Sequence, residues 1–205
     1  MVFNTVPNPN PLAVRQHVQP INHMRTNYQF IKLSILIGIL LIGCKTNKVS
    51  QATDEFALYT TTEIFDSTNR SIIIVPSIDR FISIPLNQSL DNKVNMLLDS
   101  ISKNSFNNLR IESIGISEIR DGYKSLKVNL LENAGFKFPD SLGKYKSWYD
   151  FFQGSSGGQH TTIVLTESIL QREYKGDWIN EIEFYYQDEK IGEWDHISLS
   201  GTIKR

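Results

Sequence analysis

The stretch IGISEIRDGYKSLKVNL, residues 114–130, decides the fold class. Two runs rich in β-branched and apolar residues flank Asp121-Gly122, and an Asp-Gly pair in that setting is a strong hairpin signal. On the second arm Leu126, Val128 and Leu130 alternate with Ser125, Lys127 and Asn129, which predicts a half-buried antiparallel strand. Upstream the period changes. Leu90, Val94, Leu97, Leu98 and Ile101 recur at helical spacing, with Ser89 as N-cap and residues 104–108 as the end of the helix. Further upstream, residues 56–65 and 71–75 read as strands around the turn-forming Asp66-Ser67-Thr68-Asn69. Residues 78–84 form another extended piece between Pro76 and Pro85. Downstream, residues 135–158 are irregular and aromatic. A largely buried helix is expected from about Gln159 to Tyr174, with Gly176 as its stop. Ile182, Phe184 and Tyr186 then alternate with Glu181, Glu183 and Tyr185, and a last strand is expected over residues 197–203. Mixed elements in this order predict an α+β domain, with two helices packed on an antiparallel or mixed sheet.

Composition sets wider limits. Of the 205 residues, 40% are apolar and 21% charged, which is ordinary globular usage. The formal net charge of -1 provides no basic field for nucleic acid. One cysteine excludes an internal disulfide framework and a cysteine-rich zinc site. Residues 1–43 carry Arg15, Arg25 and Lys32 and no acid, so all 22 acidic side chains fall beyond them.

That asymmetry marks a targeting segment. Leu33 to Gly43 reads LSILIGILLIG behind Arg25 and Lys32. It is shorter than the ~20 apolar residues a membrane-spanning helix needs and has the length of a signal-peptide core. Leu41-Ile42-Gly43-Cys44 resembles the bacterial lipobox. The resemblance implies acylation of Cys44 and cleavage before it, and two acyl chains give stable membrane anchoring. The expected organisation follows. Residues 1–23, with Pro7-Asn8-Pro9-Asn10-Pro11, are a mis-assigned extension ahead of a start at Met24. Residues 24–43 are the lipoprotein signal peptide, 44–55 a polar tether, and 56–205 the α+β domain.

The chemistry-bearing residues concentrate near one loop. Gly154-Ser155-Ser156-Gly157-Gly158-Gln159-His160 precedes the second helix, where free backbone N–H groups attract anions. It lacks the Gly-Lys-[Ser/Thr] of a phosphate loop. Its plain structural role is a flexible connection, with Ser155 or Ser156 capping the helix. Ser155 or Ser156, His160 and Asp150 or Asp177 could be drawn as a hydrolase triad, although no Gly-x-Ser-x-Gly elbow is present. His196 beside Asp195 is a second acid–base or metal candidate, and a structural histidine is the competing role for both. Glu181 and Glu183 should share a solvated strand face opposite Ile182 and Phe184. Trp148, Tyr149, Trp178, Tyr185 and Trp194 could form a platform for a glycan or partner, or complete the core. Trp148, Tyr149, Gly157, Gly158 and His160 are taken as the candidate interaction surface. No catalytic residue, metal ligand or cofactor is assigned.

Leu97-Leu98, Val128-Asn129-Leu130, Thr162 to Leu170 and Ile179 to Phe184 follow one another in a pattern that resembles GerMN domains. In that family a helix with a Leu-Leu pair precedes a Val-[Asp/Asn]-Leu strand, and a Thr- and Leu-containing helix leads to a Val-x-x-Val-x-Phe strand. Where the family has an Asp-Gly turn, this chain has Gln187-Asp188-Glu189-Lys190. The resemblance covers roughly residues 83–186 and implies an envelope-associated interaction or assembly role. The expected protein is therefore lipid-anchored in the bacterial cell envelope, with its domain outside the cytoplasm. Its expected partners are the membrane, through Cys44, and an envelope protein or glycan, with no nucleic acid. The alternative is an envelope hydrolase of glycan or ester centred on residues 154–160.

Overall fold

Asp121-Gly122 turns β3 (Arg110–Arg120) into β4 (Tyr123–Leu131) as an antiparallel hairpin, with Gly122 at φ 69°. The computed structural model describes residues 51–136 and 145–205, all within a unit running Ser50–Arg205. Met24, the signal segment, Cys44 and Phe138 lie outside the described residues.

β4 is a central strand and not the half-exposed arm its alternation suggests. It pairs antiparallel with β3 and parallel with β5 (Glu181–Tyr186), so Ser125 and Asn129 are buried as well as Leu126, Val128 and Leu130. The buried amide of Asn129 is satisfied by the turn after β5: its Nδ2 donates to Asp188 Oδ1 at 2.6 Å, and its Oδ1 accepts from Asp188 N at 3.2 Å. That turn is Gln187-Asp188, both at positive φ (52° and 67°), the paired left-handed geometry of a tight hairpin. It leads to β6 (Glu189–Lys190) on the outer edge of β5. β7 (Thr202–Lys204) pairs with the first half of β5, completing a mixed sheet of five strands. The last strand is shorter than expected because Ile197 and Leu199 are buried in irregular chain outside the ladder.

The helices are α1 (Leu90–Ser105), one turn α2 (Trp148–Phe151), and α3 (Ser155–Leu170). Ser89 caps α1 by accepting from Asn92 N at 3.3 Å, and Val94, Leu97, Leu98 and Ile101 form its buried stripe. Each side chain of this kind contributes about 1.5–3 kcal/mol on burial. α3 starts and stops earlier than its apolar run suggests. Gly154, at φ 74°, takes the N-cap position, and no Ser155 or Ser156 side chain caps the helix. Gln171, left-handed at φ 47°, ends it five residues before Gly176. α3 is also the crossover that a parallel β4–β5 pair requires.

The strand-rich start is one long ribbon. β1 (Thr53–Asp66) pairs with β2 (Ser71–Pro85), and β2 joins the two extended pieces expected on either side of Pro76. Pro76 is tolerated mid-strand because β2 is an edge strand, and a bulge opposite Leu58/Tyr59 takes up the extra residue. Asp66 builds the turn: Oδ1 accepts from Thr68 N at 2.8 Å and Oδ2 from Asn69 Nδ2 at 2.7 Å, which hold its carboxyl below the usual range. At the ribbon's base Phe56, Leu58 and Ile84 join the common core with Leu97, Val128 and Phe184. The architecture is α+β. Among the described residues no helix is long and apolar enough to cross a membrane.

Candidate functional site

The N-terminal turn of α3 lies beside a groove of about 420 Å³ lined by Ser105, Asn107, Tyr145, Phe151, Ser156, Gly157 and His160. The five residues expected to form an interaction surface do not share it. Trp148 is fully buried, its indole Nε1 donating to Arg110 O at 3.2 Å and its ring 4.8 Å from Phe106. It is core because α2 turns its apolar side under the domain. Gly158 is also buried, against the backbone of His196. Tyr149 is half-buried beside Trp194, and only Gly157 and His160 line the groove. The aromatic platform does not form either. Trp178 is buried with Nε1 donating to Ile169 O at 2.8 Å, and Trp194 packs edge-on against Phe152 and Tyr186.

His160 has a structural explanation. Its Nδ1 lies 2.7 Å from Thr61 Oγ1, and burial pushes its pKa below the usual histidine value, so the ring is held neutral. The same side of α3 serves the free edge of β1 further down. Ser168 Oγ accepts from Tyr59 N at 2.9 Å. The Gln171 amide accepts from Ala57 N at 2.9 Å and donates to Ala57 O at 2.6 Å. Ser168 and Gln171 thus stand in for a missing neighbouring strand, satisfying main-chain groups of β1 that burial would otherwise penalise, while His160 holds the Thr61 side chain.

The triad geometry is not present. Asp150 Oδ2 accepts from Lys146 N at 3.1 Å, and Asp177 is paired with Lys124. Ser155 and Ser156 are exposed on the first turn of α3. Glu181 and Glu183 are not on an open face. Glu181 is buried and accepts from Tyr123 Oη at 3.1 Å. Glu183 accepts from Lys190 at 2.9 Å and Thr202 at 3.0 Å, with Lys190 the main cause of its lowered pKa. Among the described residues no three His, Cys, Asp or Glu side chains converge as metal ligands.

A carboxylate that sequence patterning did not single out organises this end of the domain. Glu132, at the end of β4, is buried. Its Oε2 accepts from Trp148 N at 3.0 Å, and its Oε1 from Tyr149 N at 3.0 Å and Tyr186 Oη at 2.9 Å. It caps α2 from a distant part of the chain, which no local motif signals.

Tyr186 and Tyr174 give the domain an alkaline limit. Burial, reinforced by Glu132, pushes Tyr186 up, and burial with the Asp54 carboxylate pushes Tyr174 up to about 12. A phenol with a raised folded-state pKa contributes stability that is complete below its unfolded value near 10 and is lost above it. Ultraviolet titration should therefore show a late-ionising tyrosine fraction that includes Tyr174 and Tyr186, whose ionisation coincides with loss of near-ultraviolet circular dichroism. Ionisation of all the tyrosines in one step, with the fold intact, would contradict this assignment.

The other unassigned surface is the ribbon. Beyond Thr61, the outermost residue bonded to α3, the two strands project about five residues further, roughly 17 Å at strand rise. This projection and the strip below it expose large apolar side chains: Phe65 (66%), Ile72 (66%) and Phe81 (59%), together with Ile64, Ile73 and Ile78. Comparison with known proteins returns no match: no family model, no curated protein and no solved structure is similar to this chain.

Proposed function

We propose that this chain is a lipid-anchored protein of the bacterial cell envelope, acting as a non-catalytic binding or assembly module whose contact surface is the β1–β2 ribbon. The observation that carries the binding role is the exposed apolar ribbon. A cluster of exposed large apolar side chains on an otherwise well-packed domain marks an interaction site. The GerMN resemblance supports the same role. The hydrolase alternative loses support, because the bond from His160 to Thr61 occupies the nitrogen a carboxylate would orient.

The anchor is tested by intact mass and membrane partitioning of the expressed protein beside Cys44→Ala. The expected product begins at Cys44, carries added acyl mass and partitions into membranes, and all three properties disappear in the variant. A soluble, unmodified chain that retains residues 24–43 would overturn the anchor.

A further inference from the structure

We infer that the ribbon docks a second copy of this chain, face to face about a two-fold axis, with Phe65 of each copy seated in a groove at the base of the other's ribbon. The inference rests on the binding role proposed above and names the partner.

The register defines the docking face. Cross-strand partners in an antiparallel pair share a face, so Ala57/Phe81, Tyr59/Ile78, Thr61/Pro76, Glu63/Ile74 and Phe65/Ile72 lie on one side of the ribbon. It is opposite to the side on which Phe56, Leu58 and Ile84 enter the core. Across the bulge, β2 contributes Ile72, Ile74, Pro76, Ile78 and Phe81 to it, with no charge among them. β1 adds a single charge, Glu63. Strand addition along the edge of β2 is disfavoured by Pro76 and the bulge, which leaves the face as the adhesive surface.

This face is complementary to itself. Its outer end is a knob, the exposed Phe65/Ile72 pair. Its inner end is a hole of about 250 Å³, floored by Ala57 and Tyr59 and walled by Ile78, Phe81 and Tyr174. The knob and the hole each lie four residues from Thr61, in opposite directions. A two-fold axis through the Thr61/Pro76 pair therefore places each knob over the other copy's hole, the reciprocal arrangement a closed dimer requires. The charges agree. Arg70, in the turn beside the knob, comes to the hole's rim, which carries Glu55 and Glu173 against the single cation Lys175, a net negative rim. Two such faces bury on the order of 1,000 Å² in all, the lower bound for a specific interface, so a reversible dimer is expected.

The experiment uses the full-length protein, solubilised from its membrane in mild detergent, with two differently tagged copies expressed together. A photocrosslinking amino acid at position 65 should join the copies through residues 57–59 or 174. Phe65→Asp should weaken association at least about tenfold, as loss of an aromatic anchor does. Arg70→Glu should weaken it too, and Arg70→Glu combined with Glu173→Lys should restore it, a recovery that a folding defect would not show. Copies that do not co-purify, with the crosslinker captured by a different envelope protein, would overturn the second copy as partner and leave the binding role standing. No adduct of any kind on a monodisperse monomer would overturn both.

Discussion

Gly158→Ala should destabilise this domain strongly, while Gly157→Ala, one residue earlier, should leave it intact. A Cβ on Gly158 would lie 2.1 Å from His196 O and 2.6 Å from His196 C, both backbone atoms that cannot rotate away. The segment they belong to is held against α3. Ser198 N donates to Thr162 Oγ1 at 3.0 Å, and that hydroxyl donates to Gly158 O at 2.9 Å. Making room for the methyl group means moving the segment and exposing Ile197 and Leu199. Overpacking with backbone displacement costs about 1–3 kcal/mol, occasionally more, and for a domain of this size each kcal/mol shifts Tm by about 2–4 °C. A Cβ on Gly157 would meet no heavy atom within 4 Å beyond its own stretch of helix, and alanine there removes a glycine from a helix. The expected change is neutral to a gain of up to about 1 kcal/mol. Denaturant unfolding of the two variants side by side checks this. Equal midpoints would mean that α3 does not approach the 195–198 segment as closely as described.

Glu132→Ala should cost about 3–5 kcal/mol, because it leaves three donors without an acceptor: the backbone N–H groups of Trp148 and Tyr149 and the Tyr186 hydroxyl. Glu132→Gln keeps the shape but replaces one accepting oxygen with an NH2 group, so a smaller loss is expected. The damage should be local first. Trp148 packs 4.8 Å from Phe106 and 6.1 Å from Phe152, so releasing α2 should reduce the near-ultraviolet dichroism of the aromatic cluster before the sheet melts. A Glu132→Ala variant with wild-type spectrum and stability would show that α2 is held by its core contacts and its Ser147 N-cap without Glu132.

Elements whose signal is local were legible in the chain. The Asp121-Gly122 hairpin, the Ser89-capped helix with its Leu97-Leu98 stripe, and the Asp66 turn each depend on residues within a few positions of one another. Misreadings arose where a distant partner decides the outcome. The alternation of Ser125 to Leu130 suggested one wet face, but with β3 and β5 flanking the strand Ser125 and Asn129 are buried on it and Lys127 alone of the three stays exposed. His160 beside a glycine-rich loop had the look of chemistry, and Thr61, 99 residues away, accounts for it. Gln171 ended α3 early because its amide is engaged by Ala57. Glu132 carried no signal at all, since α2, which it caps, begins 16 residues downstream.

The sequence by itself therefore determined the α+β class, the turns, the first helix and the pattern from which a lipid anchor at Cys44 is expected. Short-range sterics, side-chain periodicity and turn chemistry act along the chain. Only the tertiary structure decided that Trp148 and Gly158 are core while Ile72 to Val75, as apolar as any buried strand, lie on a projecting ribbon. Burial is a property of what lies opposite a residue, and a run of isoleucines reads the same whether a helix covers it or solvent does.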